Sequence, residues 1–211
     1  MVDYIRSEEE QAEVLKEWWS KNGVAVVVVV VLAVGGLIGW REWKAHNSDL
    51  AAEASRSYET LMTELQSGNT DKARGTAETL VKDYESTSYA DYSHLVLAKL
   101  AVDGGDFNSA AEQLKAVVND PATAELEYTA RLRLARVQIQ QGDLDAAEKQ
   151  ISRSFPNAWQ GQALELKGDI AGAREKWDAA RDAYSGALET LDSGAERDRV
   201  QMKLDDLKRA S

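Results

Sequence analysis

The sequence predicts an all-α chain: a single transmembrane helix followed by an α-solenoid of about four helical hairpins and a C-terminal capping helix. Three observations predict it. Residues 23–40 contain no charged side chain, a glycine turn recurs at a spacing of 37 residues further along, and only two prolines interrupt 211 residues. Proline is the strongest helix breaker, so long helices form easily here. The organisation that follows is an acidic tail over 1–22, an anchor over 23–40, a juxtamembrane linker over 41–47 and a repeat domain over 48–211.

The tail opens with Ser7-x-x-Glu10, a capping-box pattern that starts a helix near residue 8. Val14, Leu15, Trp18 and Trp19 then recur at helical spacing on one face, and Glu8, Glu9, Glu10, Glu13 and Glu17 cover the rest. This reads as an interfacial lead-in helix continuous with the anchor, or as a small docking site on the short side of the membrane.

The anchor reads GVAVVVVVVLAVGGLIGW. At about 1.5 Å per residue its length approaches a hydrocarbon core of roughly 30 Å. Its valines, leucines and isoleucine favour insertion by roughly 3 to 7 kcal/mol in total. A valine run leans towards strand in water, but a lone strand in lipid leaves its backbone groups unpaired, so helix wins. Trp18 and Trp19 before it, and Trp40 and Trp43 after it, make aromatic belts at the two interfaces of the bilayer. A cleaved signal peptide would start short and basic, yet residues 1–22 carry six acids against three bases. No small-x-small cleavage site follows Trp40, so the segment is expected to stay attached. Orientation is undecided by charge: Arg6, Lys16 and Lys21 on one side balance Arg41, Lys44 and Arg56 on the other. Gly35 and Gly39 form a GxxxG with Gly36 beside them, a spacing that lets a second transmembrane helix approach closely.

Beyond residue 48 the turns Gly68-Asn69-Thr70, Gly105-Asp106-Phe107 and Gly142-Asp143-Leu144 repeat, each followed by an alanine five residues after the glycine: Ala73, Ala110 and Ala147. A fourth unit lacks the glycine, and Glu175 takes its place. Gly168, Trp177, Ala180, Tyr184, Ala187 and Leu188 complete that unit. These positions resemble the tetratricopeptide repeat, in which small residues sit where paired helices cross. One hairpin cannot bury its apolar face alone, so neighbours must stack on it. Helices are predicted over 49–66, 71–84, 89–103, 108–118, 123–140, 145–153, 158–171, 174–190 and 195–209. In the last, Val200, Leu204 and Leu207 form one apolar stripe suited to a cap.

The formal net charge is −11, of which eight negative charges fall in 41–211. Such a surface repels phosphate backbones, so nucleic acid is a poor partner. Cysteine is absent, which excludes thiolate chemistry, disulfides and cysteine metal sites. Of the two histidines, His46 reads as a solvated interfacial residue and His94 as a packed or groove-facing one. Asp103-Gly104-Gly105-Asp106-Phe107 sits at a repeat turn and lacks the strand context of a cyclase. The carboxylates read as solvated, with no two brought into one dry pocket. No catalytic or cofactor set emerges, and the expected protein is not an enzyme. A repeat domain offers instead a concave groove lined by the first helix of each hairpin. The pattern places Tyr92, Leu95, Lys99 and Val102 there in the second unit, and Thr129, Leu132, Arg136 and Ile139 in the third, a surface fit for an extended or helical peptide. Trp159 reads as core.

Asn22-Gly23 opens the anchor and Gly36-Leu37-Ile38-Gly39-Trp40-Arg41-x-Trp43 closes it. The third unit carries Leu132-Arg133-Leu134-Ala135-Arg136-Val137-Gln138, and Gln201-Met202-Lys203-Leu204 lies near the C-terminus. In these segments, and in their order and spacing, the chain resembles the YfgM family, ancillary subunits of the bacterial SecYEG translocon. The resemblance implies an inner-membrane protein with a cytoplasmic tail and periplasmic repeats. It further implies partnership with SecYEG and with the membrane-bound periplasmic chaperone PpiD, and a role in passing translocated proteins to periplasmic chaperones. It also implies a part for the tail in restraining an envelope stress response. The competing expectation is an envelope scaffold for cell-wall or outer-membrane assembly without translocon contact.

Overall fold

The computed structural model describes residues 8–192 and 194–210, with side chains described over 11–192 and 194–207. Ser7 of the capping box lies outside them. Among the described residues there are nine helices and no strand: α1 (Glu8–Gln66), α2 (Thr70–Asp83), α3 (Ser88–Asp103), α4 (Phe107–Asn119), α5 (Ala124–Gln140), α6 (Leu144–Ile151), α7 (Asn157–Ala173), α8 (Trp177–Thr190) and α9 (Ala195–Ala210). The chain divides into two compact units, Met1–Leu50 and Ala51–Ser211.

Two predicted boundaries move by more than two residues. The sequence predicts a helix starting at 49 after a linker over 41–47, and Asn47-Ser48-Asp49 carries N-cap residue types. The structure runs α1 unbroken through these positions. No proline or glycine lies between Arg41 and Gln66, and flanking Ala, Glu and Leu residues favour helix strongly enough to carry it across three weak formers. The second correction concerns α8, which starts at Trp177 rather than at 174.

In the first unit the apolar face has nothing to pack against. Val24 is 82% exposed and Leu32 69%. A helix of this composition inside a soluble core would be mostly covered, whereas 6% of its most apolar window is buried. It is long and apolar enough to cross a membrane. The flanks are locally tied: Lys21 pairs with Glu17 at 2.7 Å, the Asn22 side chain donates to the Trp18 carbonyl at 2.9 Å, and the Lys44 ammonium lies 5.3 Å from the Trp40 ring centre.

The second unit stacks hairpins. Ala54 and Leu61 of α1 meet Ala73, Ala77 and Leu80 of α2 and Leu97 of α3 in one apolar cluster. Further clusters join α3, α4 and α5, then α5, α6 and α7, then α7, α8 and α9. Alanines at the crossings are fully covered, among them Ala77, Ala110, Ala147, Ala180 and Ala187. Where the helices come closest only glycine fits: a Cβ on Gly168 would sit 2.3 Å from the Tyr184 ring.

The repeated turns share one hydrogen-bond pattern. Gly105 N–H donates to the Val102 carbonyl and Asp106 N–H to the Ala101 carbonyl; Gly142 and Asp143 repeat this on Ile139 and Gln138, as Gly68 and Asn69 do on Leu65 and Glu64. This is the Schellman closure, which needs a left-handed residue, and the three glycines have φ of +73°, +78° and +79°. In two of the three the next residue caps the following helix, with Asp106 accepting from Ser109 N–H and Asp143 from Ala146 N–H, whereas Asn69 gives no side-chain cap. The fourth turn keeps the same closure, Glu175 to Gly172 and Lys176 to Ala171, with Glu175 at φ +58° and Lys176 giving no side-chain cap. That closure occupies residues 174–176 and pushes the start of α8 to Trp177.

Glu175→Gly is expected to stabilise the protein by about 1 kcal/mol, because glycine adopts the left-handed region without steric cost. A rise of roughly 2–4 °C in the midpoint of thermal unfolding would register it. Gly168→Ala is expected to do the reverse, costing about 1–3 kcal/mol as the Tyr184 ring is displaced; an unchanged urea midpoint would contradict the close packing described.

Candidate binding cleft

Helices α3, α5 and α7 bring the first helices of successive hairpins side by side. Between α3 and α5 lies a cleft of about 240 Å³ with Leu95, Ala98, Val102, Leu114 and Val137 as its apolar lining, and with Lys99, Arg133 and Arg136 at its walls. A second cleft of about 230 Å³ adjoins it, formed by Thr129, Arg133, Arg136, Trp159, Gln162 and Glu196. Arg133 and Arg136 belong to both, one turn apart on α5, so the two hollows form one surface.

The predicted groove residues divide. Leu95, Lys99, Val102 and Arg136 line the first cleft, and Thr129 and Arg136 the second. Tyr92 is 39% exposed and stacks instead with Tyr58 and Tyr89, at ring-centre distances of 5.7 and 6.2 Å. Leu132 is a correction. It is 1% exposed, packed with Ala135, Ala147, Phe155, Leu166 and Ile170, and Ile139 rests on the same cluster. Both point into the α5–α6–α7 core because α7 covers that side of α5. Trp159 is partly buried against this core, 5.3 Å from the Tyr128 ring centre. His94 Nδ1 lies 2.7 Å from the Gln113 side-chain oxygen, tying α3 to α4. Gly35, Gly36 and Gly39 carry nothing within 4 Å of where a Cβ would be, so their face is open.

Arg133 is the residue that the pattern missed. Its neighbours at i±3 and i±4 are Thr129, Ala130, Arg136 and Val137, so its helix offers it no acid. Among the described residues no carboxylate pairs with it in space. The cleft walls desolvate its guanidinium and Arg136 repels it, and together they lower its pKa from the usual arginine value. It nonetheless stays charged. Lys99 is paired with Asp103 at 2.5 Å. Arg136 reaches Glu165 only at 3.6 Å, because stronger partners already occupy that carboxylate.

Glu165 overturns the expectation of solvated carboxylates. It is 1% exposed and accepts two parallel hydrogen bonds from Arg199 at 2.7 Å and one from Lys203 at 2.8 Å. Lys203 also holds Asp169 at 2.7 Å, and Tyr184 donates to Asp169 at 2.7 Å. Burial works to raise the Glu165 pKa, but the hydrogen bonds and charges of Arg199 and Lys203 outweigh it and hold it at about 2. An acid locked in that state is no proton donor near neutral pH. The cluster serves instead to fasten α9 onto α7 and α8.

The sequence matches the family described as tetratricopeptide repeat-like domain over residues 16–209, a stretch that includes the anchor. It is 32% identical over 204 residues to a protein of Haemophilus influenzae named ancillary SecYEG translocon subunit, covering 97% of this chain and 99% of that one. Proteins of the same name from Escherichia coli (36% identical over 185 residues, 84% and 89% covered) and Aggregatibacter actinomycetemcomitans (33% over 204 residues, 97% and 99% covered) are similar in the same way. The chain belongs to this family, the YfgM family. Its members' similarity runs through anchor and repeats alike, so the two units of this YfgM-family chain are inherited together.

Because Glu165 has a depressed folded pKa, its contribution to stability is present above the ordinary glutamate value of 4.5 and is lost as pH falls from there towards about 2. The loss is expected to be about 3 kcal/mol. In Glu165→Gln that part of the acid sensitivity should vanish, at the cost of lower stability at pH 7; urea unfolding at pH 7 and pH 3 checks both.

Proposed function

We propose that this chain is a non-enzymatic, membrane-anchored adaptor associated with the SecYEG translocon, which helps translocated proteins pass to periplasmic chaperones, a PpiD-type membrane-bound chaperone among them. Its tail lies in the cytoplasm and its repeats in the periplasm. The observation that carries this reading is similarity along nearly the whole of both chains to proteins named ancillary SecYEG translocon subunit. The architecture supports it: an apolar helix too exposed to be a core element, joined in one chain to a repeat domain with an open, apolar-floored cleft. The non-enzymatic reading draws support from Glu165, the most deeply buried carboxylate among the described residues, whose charge is neutralised by Arg199 and Lys203.

The open glycine face of the anchor supports a transmembrane contact, since two helices approach most closely over small residues. Purification of the chain from mildly solubilised membranes is expected to recover SecYEG and the PpiD-type chaperone. Gly35→Leu and Gly39→Leu should lower that recovery without preventing insertion. Wild-type preparations lacking both partners would overturn the proposal, and recovery of cell-wall or outer-membrane machinery in their place would support an envelope scaffold.

A further inference from the structure

The cleft between α3 and α5 combines an apolar floor with a cation, Arg133, that no carboxylate among the described residues pairs. Five other arginines of the repeat domain are matched with acids: Arg131 and Arg153 with Glu127, Arg174 with Asp145 and Glu148, Arg181 with Asp178, and Arg199 with Glu165. Arg133 has no such partner among the described residues, in a chain that carries 36 acids against 25 bases. It is exposed, it lines both clefts, and Arg136 beside it is 40% exposed and held only loosely by Glu165. Two like charges forced together at a partly desolvated wall are an unfavourable arrangement that a bound carboxylate relieves. A guanidinium also presents the planar fork that matches a carboxylate with two parallel hydrogen bonds.

The floor sets the second requirement. Val102 is 38% exposed at the cleft, next to Leu95, Leu114 and Val137, which gives an aliphatic side chain a dry seat. The hollow continues past the arginine pair towards Thr129, Trp159 and Glu196, whose carboxylate accepts from the Gln162 side chain rather than from Arg133, so a chain seated here is not obliged to end at the arginines.

We propose that this cleft binds an extended internal segment of a client protein that presents an aspartate or glutamate next to an aliphatic residue, with Arg133 and Arg136 gripping the carboxylate and the Leu95–Val102–Val137 floor taking the aliphatic group. The inference rests on the adaptor reading above and specifies what the adaptor holds. It names Arg133 and Arg136 as the residues that select the segment.

The full chain in detergent micelles serves for the test, with fluorescently labelled, C-terminally amidated peptides carrying one aspartate between two leucines. Anisotropy is expected to show about tenfold tighter binding of this peptide than of its asparagine counterpart, the margin of a charge-assisted bidentate contact. Arg133→Gln should erase that preference with an unchanged circular-dichroism spectrum, since the side chain is exposed. Arg133→Glu should shift preference to a lysine counterpart. Equal binding of the aspartate and asparagine peptides would overturn the proposal. So would a preference kept by Arg133→Gln, the absence of any binding, or tight binding only of an asparagine peptide with a free C-terminal carboxylate. Parallel recovery of SecYEG with wild type and Arg133→Gln separates the two readings. Recovery with both, without peptide selectivity, sinks the cleft proposal alone; recovery with neither sinks the adaptor reading.

Discussion

Every hairpin of the repeat domain has to reverse the chain within a few residues and set its second helix down against the first in one register. The backbone solves this with a single left-handed residue, because the carbonyls at the end of the first helix need donors and only that conformation supplies them from the two residues that follow. Gly68, Gly105 and Gly142 meet the requirement without strain. The reversal fixes which faces of the paired helices meet, and the meeting faces are then lined with alanine so that the backbones can approach. Stacking of one hairpin on the next, and with it the existence of a cleft between α3 and α5, is downstream of that geometry.

The fourth hairpin shows how strongly the geometry is imposed. Glu175 adopts the left-handed region although a side chain is costly there, and Lys176 offers no cap where Asp106 and Asp143 do. What holds the hairpin is found elsewhere. Arg174, the residue before Glu175, bonds Asp145 and Glu148 of α6 at 2.6 and 2.7 Å, and Gly168 lets the Tyr184 ring lie directly on α7. The Glu165 and Asp169 carboxylates then clamp α9 over the end through Arg199 and Lys203. A buried ionic cluster of this kind contributes little over an apolar equivalent but is very costly to break at one member, so it acts as a fastener of defined position.

Much of this was legible in the residues. The anchor was visible as an uncharged run, the turns as a recurring glycine, and even the odd fourth turn as Glu175 standing at the right place in the order. Illegible features fall into two kinds. Glu165 has no base at i±3 or i±4, and its partners come from 34 and 38 residues away, a separation that no local pattern encodes. Leu132 failed for a subtler reason: successive residues of a helix differ by about 100° around its axis, so a groove stripe set one position off exchanges a core leucine for the neighbouring arginine. The signal that could have settled it was present, since Arg133 sits between Leu132 and Leu134 with no acid at i±3 or i±4. The juxtamembrane helix escaped for the opposite reason, because Asn47-Ser48-Asp49 looks like a start and the flanking helix formers overrule it.

The electrostatics of the repeat domain also bear on how firmly it can hold anything. Its surface is acidic overall, so an acidic segment approaching it is repelled, but at physiological salt that repulsion fades beyond about 8 Å. Within that range the Arg133–Arg136 wall is the local exception. A segment therefore gains only where its carboxylate reaches the arginines and its aliphatic neighbour reaches the floor. Away from that register it meets like charge, which lowers the affinity for wrong alignments more than it raises the affinity for right ones. The cleft is small, so few contacts accumulate and release stays fast. Both properties arise from one pair of arginines standing in an acidic surround.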